Sequence, residues 1–416
     1  MYENHLITCH ANKDFSEEEN LSQLLESFWE SEEIPLSISN SSIHPAETNF
    51  LQSVKILDSG RYQVSLNFKE IVDDLNVGNS LSVAKSRFFQ LEKKLHSNLG
   101  LFEGYKKMID DYLTNNQIKQ VPLAIRTPQN KENYFLPHFP VLKDNSSSIR
   151  VVFDPNSSSS TNFSLNKVLD KGFVCQPDLF QILVRFRTFR QSLTCDIKAM
   201  YMQISVSEKD RHLLNFLWRD NQRDPLKCYQ LTRLPFGLNC SPFIATRVLK
   251  YIAENNSDAS LASQTLLCST YVDDLLSGAD TPNELEILFS QLSSLLQRHN
   301  FSLHKIHSNN VEFVNRHNLN PHSEVNLNLE NSSSKVLGIK WSSKEDTFFF
   351  SPPCMDFEPP LTKRKILSVI ARCFDPLGLI SPCLSAAKLL LQKLWIATLS
   401  WDEPINDSTL MKEWDK

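Results

Sequence analysis

The chain has 416 residues, 41% hydrophobic and 22% charged, with a formal net charge of −5. That composition excludes a wholly disordered protein and predicts roughly two to four packed domains. No apolar run approaches the roughly 20 residues of a membrane span, the start lacks the basic and apolar regions of a signal peptide, and nine scattered cysteines without a C-x-x-C pair exclude a disulfide framework or zinc ribbon. An intracellular protein with reduced thiols is therefore expected.

The charge is unevenly spread. Residues 1–48 carry ten Asp/Glu against one Lys, −9 in all, which leaves +4 for the rest. Within them Ser16 to Glu19 fits a capping box, and Leu21, Leu24, Leu25, Phe28 and Trp29 recur at helical spacing, so an amphipathic helix is expected to about Glu33. Ser37 to Ser42 reads as a linker. Val54 and Ile56, then Tyr62, Val64, Leu66 and Phe68, alternate on either side of Asp58-Ser59-Gly60, which predicts a β-hairpin. Ser80 to Asn115 has the helical period, broken at Asn98 and Gly100, so two helices are expected across 49–117.

From Ile118 to about residue 345 short strand-like runs alternate with helical ones, with a Ser-rich loop at 157–160 and an Asn/Ser-rich surface insertion at 309–334. A Pro-rich linker, Ser351 to Pro360, then leads to a helical unit within 346–416. Its segment Leu361 to Trp395 holds Lys363, Arg364, Lys365, Arg372, Lys388 and Lys393 against Asp375 alone, a basic stripe of the kind a phosphate backbone attracts.

Thr270 to Leu276 places Asp273-Asp274 between two strand-like runs, Leu266–Val272 and Leu275 onward. Adjacent carboxylates in a tight turn repel, so a cation is expected there. Hard divalent ions take carboxylate oxygens, and a pair of them clamps the attacking and leaving oxygens of an in-line phosphoryl displacement. In Leu193 to Tyr201 the apolar positions 193, 195 and 197 alternate with 194, 196 and 198, so Asp196 faces away from the packed side of a strand. It needs a cation or a donor, for which Lys198 is one candidate.

An Asp on a strand, then Leu234-Pro235-Phe236-Gly237-Leu238-Asn239-Cys240-Ser241-Pro242, then Tyr271-Val272-Asp273-Asp274, resembles the palm of a reverse transcriptase. Further stretches, Phe28-Trp29-Glu30, Tyr134 to Val141, Arg150 to Asp154 and Thr362 to Ile380, extend the resemblance over nearly the whole chain to the Pol region of BEL/Pao-type LTR retrotransposons. The resemblance implies an α/β right-hand polymerase: fingers and antiparallel-sheet palm over 118–345 and a helical thumb or connection after that. It also implies RNA-directed DNA polymerase activity on an RNA or DNA template with primer, using dNTPs, in a cytoplasmic particle or the nucleus.

By the same resemblance Asp196, Asp273 and Asp274 hold two Mg²⁺, with Mn²⁺ an alternative. Lys143 and Arg150 hold the triphosphate from a fingers hairpin, and Tyr201 stands under the sugar, where a ring excludes a 2′-hydroxyl. Phe236 and Gly237 lie in the loop against the nucleotide, before a helix capped by Ser241-Pro242. Lys305 resembles a lysine that protonates the leaving pyrophosphate, Leu337, Gly338 and Trp341 resemble the primer grip, and Lys363, Arg364, Lys365 and Arg372 are nucleic-acid contacts. The sequence departs from retroviral enzymes at Ala199, in place of Asp, and at Phe236, in place of Gln.

Only about twenty residues follow Trp395, so RNase H and integrase domains are expected in a longer parent polyprotein rather than here. A Pao peptidase label is expected for the carboxyl-terminal region, although no nucleophile or acid pair stands there. Two other readings are a catalytically silent fragment that only binds nucleic acid and an aspartic peptidase using Asp58. The turn reading of Asp58-Ser59-Gly60 speaks against the peptidase. His304 and His307 lack a third ligand nearby and read as structural residues.

Overall fold

The computed structural model describes residues 43–69, 80–124, 127, 132–142, 149–319, 333–336, 339–349, 360–373 and 375–414. The expected helix over 16–33, the linkers at 37–42 and 351–359, Lys143, Leu337 and Gly338 lie outside them. Helices and strands are mixed, as an α/β chain requires.

Helix Pro45–Ser53 opens the described chain, with Pro45 in its first turn and the His44 side chain accepting the Ala46 N–H at 3.1 Å. No element is expected there from the sequence, where the linker reading covers Ser37 to Ser42. The hairpin follows as expected, Lys55–Ile56 against Tyr62–Val64, and Asp58 stands exposed in its turn. Gly60 has φ +78°, and a Cβ there would lie 2.4 Å from the Arg298 carbonyl oxygen. Helices Leu81–His96 and Leu99–Thr114 meet at the predicted break, where the Asn98 side chain caps the second by accepting the Leu101 N–H at 3.1 Å.

Two small sheets pack beside these helices: Ile118–Val121, Lys227–Leu231 and Asn215–Trp218 in one, His138–Leu142 with Ile149–Phe153 in the other. The central sheet is antiparallel throughout, in the order Thr270–Tyr271, Asp274–Ala279, Gln191–Ile197, Leu303–Ser308. Its back face carries Leu193, Cys195, Ile197 and Leu275 into the main core with helices Ser241–Glu254, Ser260–Cys268 and Pro282–Arg298. The last is stopped at its start by a full capping box, Thr281 with Glu284, after which Pro282 occupies the first turn.

Leu276, on the front face, joins Ile182, Leu183 and Phe186 of helix Leu179–Phe186 and Trp341 of strand Ile339–Ser342 in a second, smaller core. Among the described residues from 360 on there are helices Lys363–Arg372, Ser381–Ile396 and Ser408–Trp414 around a third apolar cluster.

Three expectations change. Residues 266–268 are helical, and the strand before the paired aspartates is only Thr270–Tyr271. Leu266 packs into the core from a helix face, and four consecutive apolar or small residues fit either period. The 309–334 insertion contains helix Val311–Arg316, capped by Asn310. Ser159, in the loop expected to be exposed, is buried, and its N–H donates to the Phe163 carbonyl.

Candidate active site

Strand register builds the site. Asp274 stands directly opposite Asp196, and Asp196 directly opposite His304, so three polar side chains share the front face of the central sheet. Facing residues of an antiparallel pair have Cα atoms about 4.5–5.5 Å apart. Val272 and Asp273 form the turn between Tyr271 and Asp274. The Asp273 carbonyl accepts the Ile197 N–H at 2.8 Å, which ties the turn to the end of the strand bearing Asp196. Val272 has φ +56°, a left-handed conformation that a β-branched residue rarely adopts. The structure thus brings Asp196, Asp273 and Asp274 together.

Their electrostatics show the crowding. Burial first, then the charges of Asp273 and Asp196, push the Asp274 carboxyl up to about 6, against the opposing pull of Lys305. Burial and Asp196 raise Asp273 as well, while its own backbone N–H, Lys305 and Arg150 act the other way. Asp196 meets Lys305: Nζ lies 2.7 Å from Oδ2. The Nδ1 of His304 is 3.4 Å from Oδ1 of Asp196, and that oxygen is buried without a hydrogen-bond partner.

Lys305 reaches Asp196 through a β-bulge. Consecutive side chains of a regular strand point to opposite faces, which would send Lys305 to the back. An extra residue between His304 and His307, with Lys305 at φ +48°, turns both His304 and Lys305 to the front. Lys198, the donor suggested by sequence, is exposed, and the ammonium at Asp196 is that of Lys305; the backbone N–H of Lys198 donates to the Ser302 carbonyl. No period in the sequence reveals the bulge, so His304 is the site neighbour that sequence reasoning missed.

Around the acids, Tyr201 is partly buried with its hydroxyl pushed up to about 12 by burial and by Asp273, and its ring lies 4.8 Å from that of Phe236. Phe236 is exposed. Gly237 has φ +105°, and a Cβ there would stand 2.7 Å from the Phe153 carbonyl oxygen, so glycine is required by contact within the protein. Arg150 is exposed on strand Ile149–Phe153 and close enough to lower Asp273.

Oxygen donors alone, a buried carboxylate oxygen without a partner and two neighbouring carboxyls held above their ordinary range suit a hard divalent ion such as Mg²⁺. Among the described residues no three His, Cys, Asp or Glu side chains close on one point, and the ammonium of Lys305 supplies the positive charge at Asp196.

The other expected contact residues have these partners within the protein. Trp341 is fully buried, its Nε1 donating to Asp346 at 3.1 Å and its ring edge-on to Phe186, so its role in that hairpin is packing. Lys363 is buried, its Nζ 4.4 Å and 5.0 Å from the ring centres of Trp395 and Trp401, because the first turn of its helix faces the indoles. Arg364 pairs with Asp402 at 2.8 and 3.0 Å, Lys365 donates to the Pro360 carbonyl and Arg372 to Ser368. Ser241 lies inside its helix and donates to the Pro235 carbonyl at 2.8 Å, and Cys240 holds the cap position.

Comparison with known families meets this geometry at the same residues. Residues 187–340, which hold all three acids, Tyr201, Phe236, Gly237 and Lys305, match the family described as reverse transcriptase (RNA-dependent DNA polymerase), and residues 362–416 match the Pao retrotransposon-like RNaseH-like domain. Parts of the chain are thus similar to reverse transcriptases and to a domain of Pao retrotransposons. The label on its carboxyl-terminal segment is RNaseH-like, where a peptidase label was expected.

The Gag-Pol polyproteins of Rous sarcoma virus subgroup C (strain Prague) and avian leukosis virus subgroup A (isolate RSA) are each 30% identical to this chain over 112 residues, 27% of it. The chain spans only 7% of the length of those relatives. A solved structure, a foamy viral protease-reverse transcriptase in complex with ds DNA, overlaps 75% of this chain and 46% of its own at 17% identity, with a TM-score of 0.49. No helix among the described residues is long and apolar enough to cross a membrane.

Proposed function

We propose that the chain is an RNA-directed DNA polymerase that transfers a nucleotide from a dNTP to the 3′-hydroxyl of a primer paired with an RNA or DNA template. The observation that carries this reading is the register that sets Asp274 against Asp196 with Asp273 in the adjoining turn, inside the segment matching the reverse transcriptase family. Asp196 and Asp273, supported by Asp274, would hold two Mg²⁺. When bound, these ions lower the pKa of the primer hydroxyl and offset the charge of the triphosphate.

The remaining work is positioning, which dominates phosphoryl transfer. Arg150, with Lys143, binds the triphosphate from the side of strand Ile149–Phe153. Tyr201, backed by Phe236, sets the floor under the sugar and excludes a 2′-hydroxyl. Lys305, half exposed and already at Asp196, is placed to give its Nζ proton to the departing pyrophosphate. Leu337, Gly338 and Trp341 hold the primer end.

Primer extension on a poly(rA) template with oligo(dT) and Mg²⁺ tests the reading. Asp196→Asn or Asp273→Asn should each lower extension by about 10³-fold or more, while template-primer binding, followed by fluorescence anisotropy, stays within about threefold of wild type. Extension retained by either variant would refute the site. A folded wild type that binds template-primer and incorporates nothing would favour the silent nucleic-acid-binding fragment.

A further inference from the structure

Away from the acids, three arginines converge on four consecutive residues, Gln203 to Val206, where the chain leaves the front of the site. Arg61, from the amino-terminal hairpin, donates to the Gln203 carbonyl at 2.7 Å and to its Oε1 at 2.8 Å. Arg211 donates through Nε to the Val206 carbonyl at 2.8 Å. Arg233, paired in a bridge with Ser205, donates to the Ser205 hydroxyl. All three are partly buried.

Like charges gathered at low exposure repel unless something negative offsets them. Among the described residues the carboxylate within ion-pairing distance is Glu208, 3.5 Å from Arg211 and mostly exposed. The Nε of Arg233 is buried without a hydrogen-bond partner. Burial, followed by the fields of Arg61 and Arg211, pulls this guanidinium down to about 10. The neutral acceptors the three have are the Ser205 hydroxyl, the side-chain amides of Gln203 and Asn300 and backbone carbonyls, which satisfy hydrogens but cancel no charge.

We propose that Arg61, Arg211 and Arg233 form an oxyanion site for a phosphate group, separate from the triphosphate position and not assigned by the polymerase reading. A tetrahedral oxyanion offers several acceptors at once to planar guanidinium forks, and phosphate chemistry suits arginine above other cations. The phosphate comes either from a nucleic-acid backbone or from free inorganic phosphate. The site does not depend on the acids or on catalysis.

Thermal unfolding of the full chain in inorganic phosphate, against chloride at equal ionic strength, tests it. Phosphate at millimolar concentration should raise the midpoint by a few degrees more than chloride. Arg233→Gln should abolish that excess and raise the midpoint in chloride, since one repelling charge is gone. Arg61→Gln serves as the second variant if Arg233→Gln does not fold, and it should also lose the excess. Asp273→Asn should keep it.

A titration with a single-stranded oligonucleotide separates the two sources. Weaker binding by Arg233→Gln, with the salt slope smaller by about one, assigns the site to a backbone phosphate. Unchanged oligonucleotide binding with the phosphate effect lost assigns it to the free ion. Equal stabilisation by phosphate and chloride, together with unchanged oligonucleotide binding, overturns the proposal, as does a phosphate effect that survives in both arginine variants.

Discussion

Asp274 carries a cost in the metal-free protein that its neighbours impose. The unfolded chain releases this proton near 3.8, whereas the folded chain keeps it until about 6. Between those values the folded state binds more protons, so this residue makes stability fall as pH rises through the window, and the penalty is complete above about 6. Asp274→Asn should therefore stabilise the metal-free chain at pH 8 by about 1–2 kcal/mol, discounted for partial exposure. Urea unfolding in chelator measures it, and a variant no more stable than wild type at pH 8 would show the three carboxylates further apart than the register places them. Saturating Mg²⁺ should narrow the difference, because neutralising the cluster is what the ion and the substitution share. Destabilisation stored at a functional cluster is the usual trade between stability and activity.

At the scale of elements, helix Lys363–Arg372 shows how a charge pattern leaves out where each cation packs. The excess of Lys and Arg is real, but charge counting assigns each cation to solvent, and Lys363 is instead clasped by Trp395 and Trp401, which lie at the end of the next helix and beyond it. Lys363→Ala should cost about 1–2 kcal/mol in thermal unfolding and leave duplex affinity by anisotropy within about twofold. A loss of affinity without loss of stability would return Lys363 to the nucleic-acid contacts. The two helices after Ser80 and the hairpin at Asp58 were legible because each has a period and a punctuating residue, Asn98 in one case and Gly60 in the other. The face of Asp196 was legible because apolar residues alternate around it on a strand buried on one side by the main core. What a linear pattern cannot carry is a partner set by a bulge, as with Lys305, or by packing against the far end of the next helix, as with Lys363. Residues 266–268 failed for a different reason, since a short apolar run has no period to read.

Across the whole molecule the element least suggested by sequence is a neutral histidine that joins three parts of the fold. His138 is buried on strand His138–Leu142, its Nε2–H donates to the Leu217 carbonyl at 2.8 Å, and its Nδ1 therefore accepts from the Tyr105 hydroxyl of helix Leu99–Thr114. Burial holds its pKa down to about 4, with the Leu217 carbonyl acting weakly the other way. The unfolded chain takes up this proton near 6.5, so between about 4 and 6.5 the unfolded state binds more protons and stability falls as the pH falls; the full contribution is present above 6.5. Asp274 works in the opposite direction over much of the same range, which would mask the histidine in wild type. The Asp274→Asn background removes that compensation. In it, lowering the pH from 7 to 5 in chelator should cost about 2 kcal/mol of unfolding free energy, read from urea midpoints, with tryptophan fluorescence and circular dichroism shifting together because Tyr105, His138 and Leu217 tie a helix and two sheets into one cooperative unit. Stability that stays flat over this range, or a fluorescence transition that moves without the dichroism, would mean that His138 gains its proton without unfolding the elements it joins.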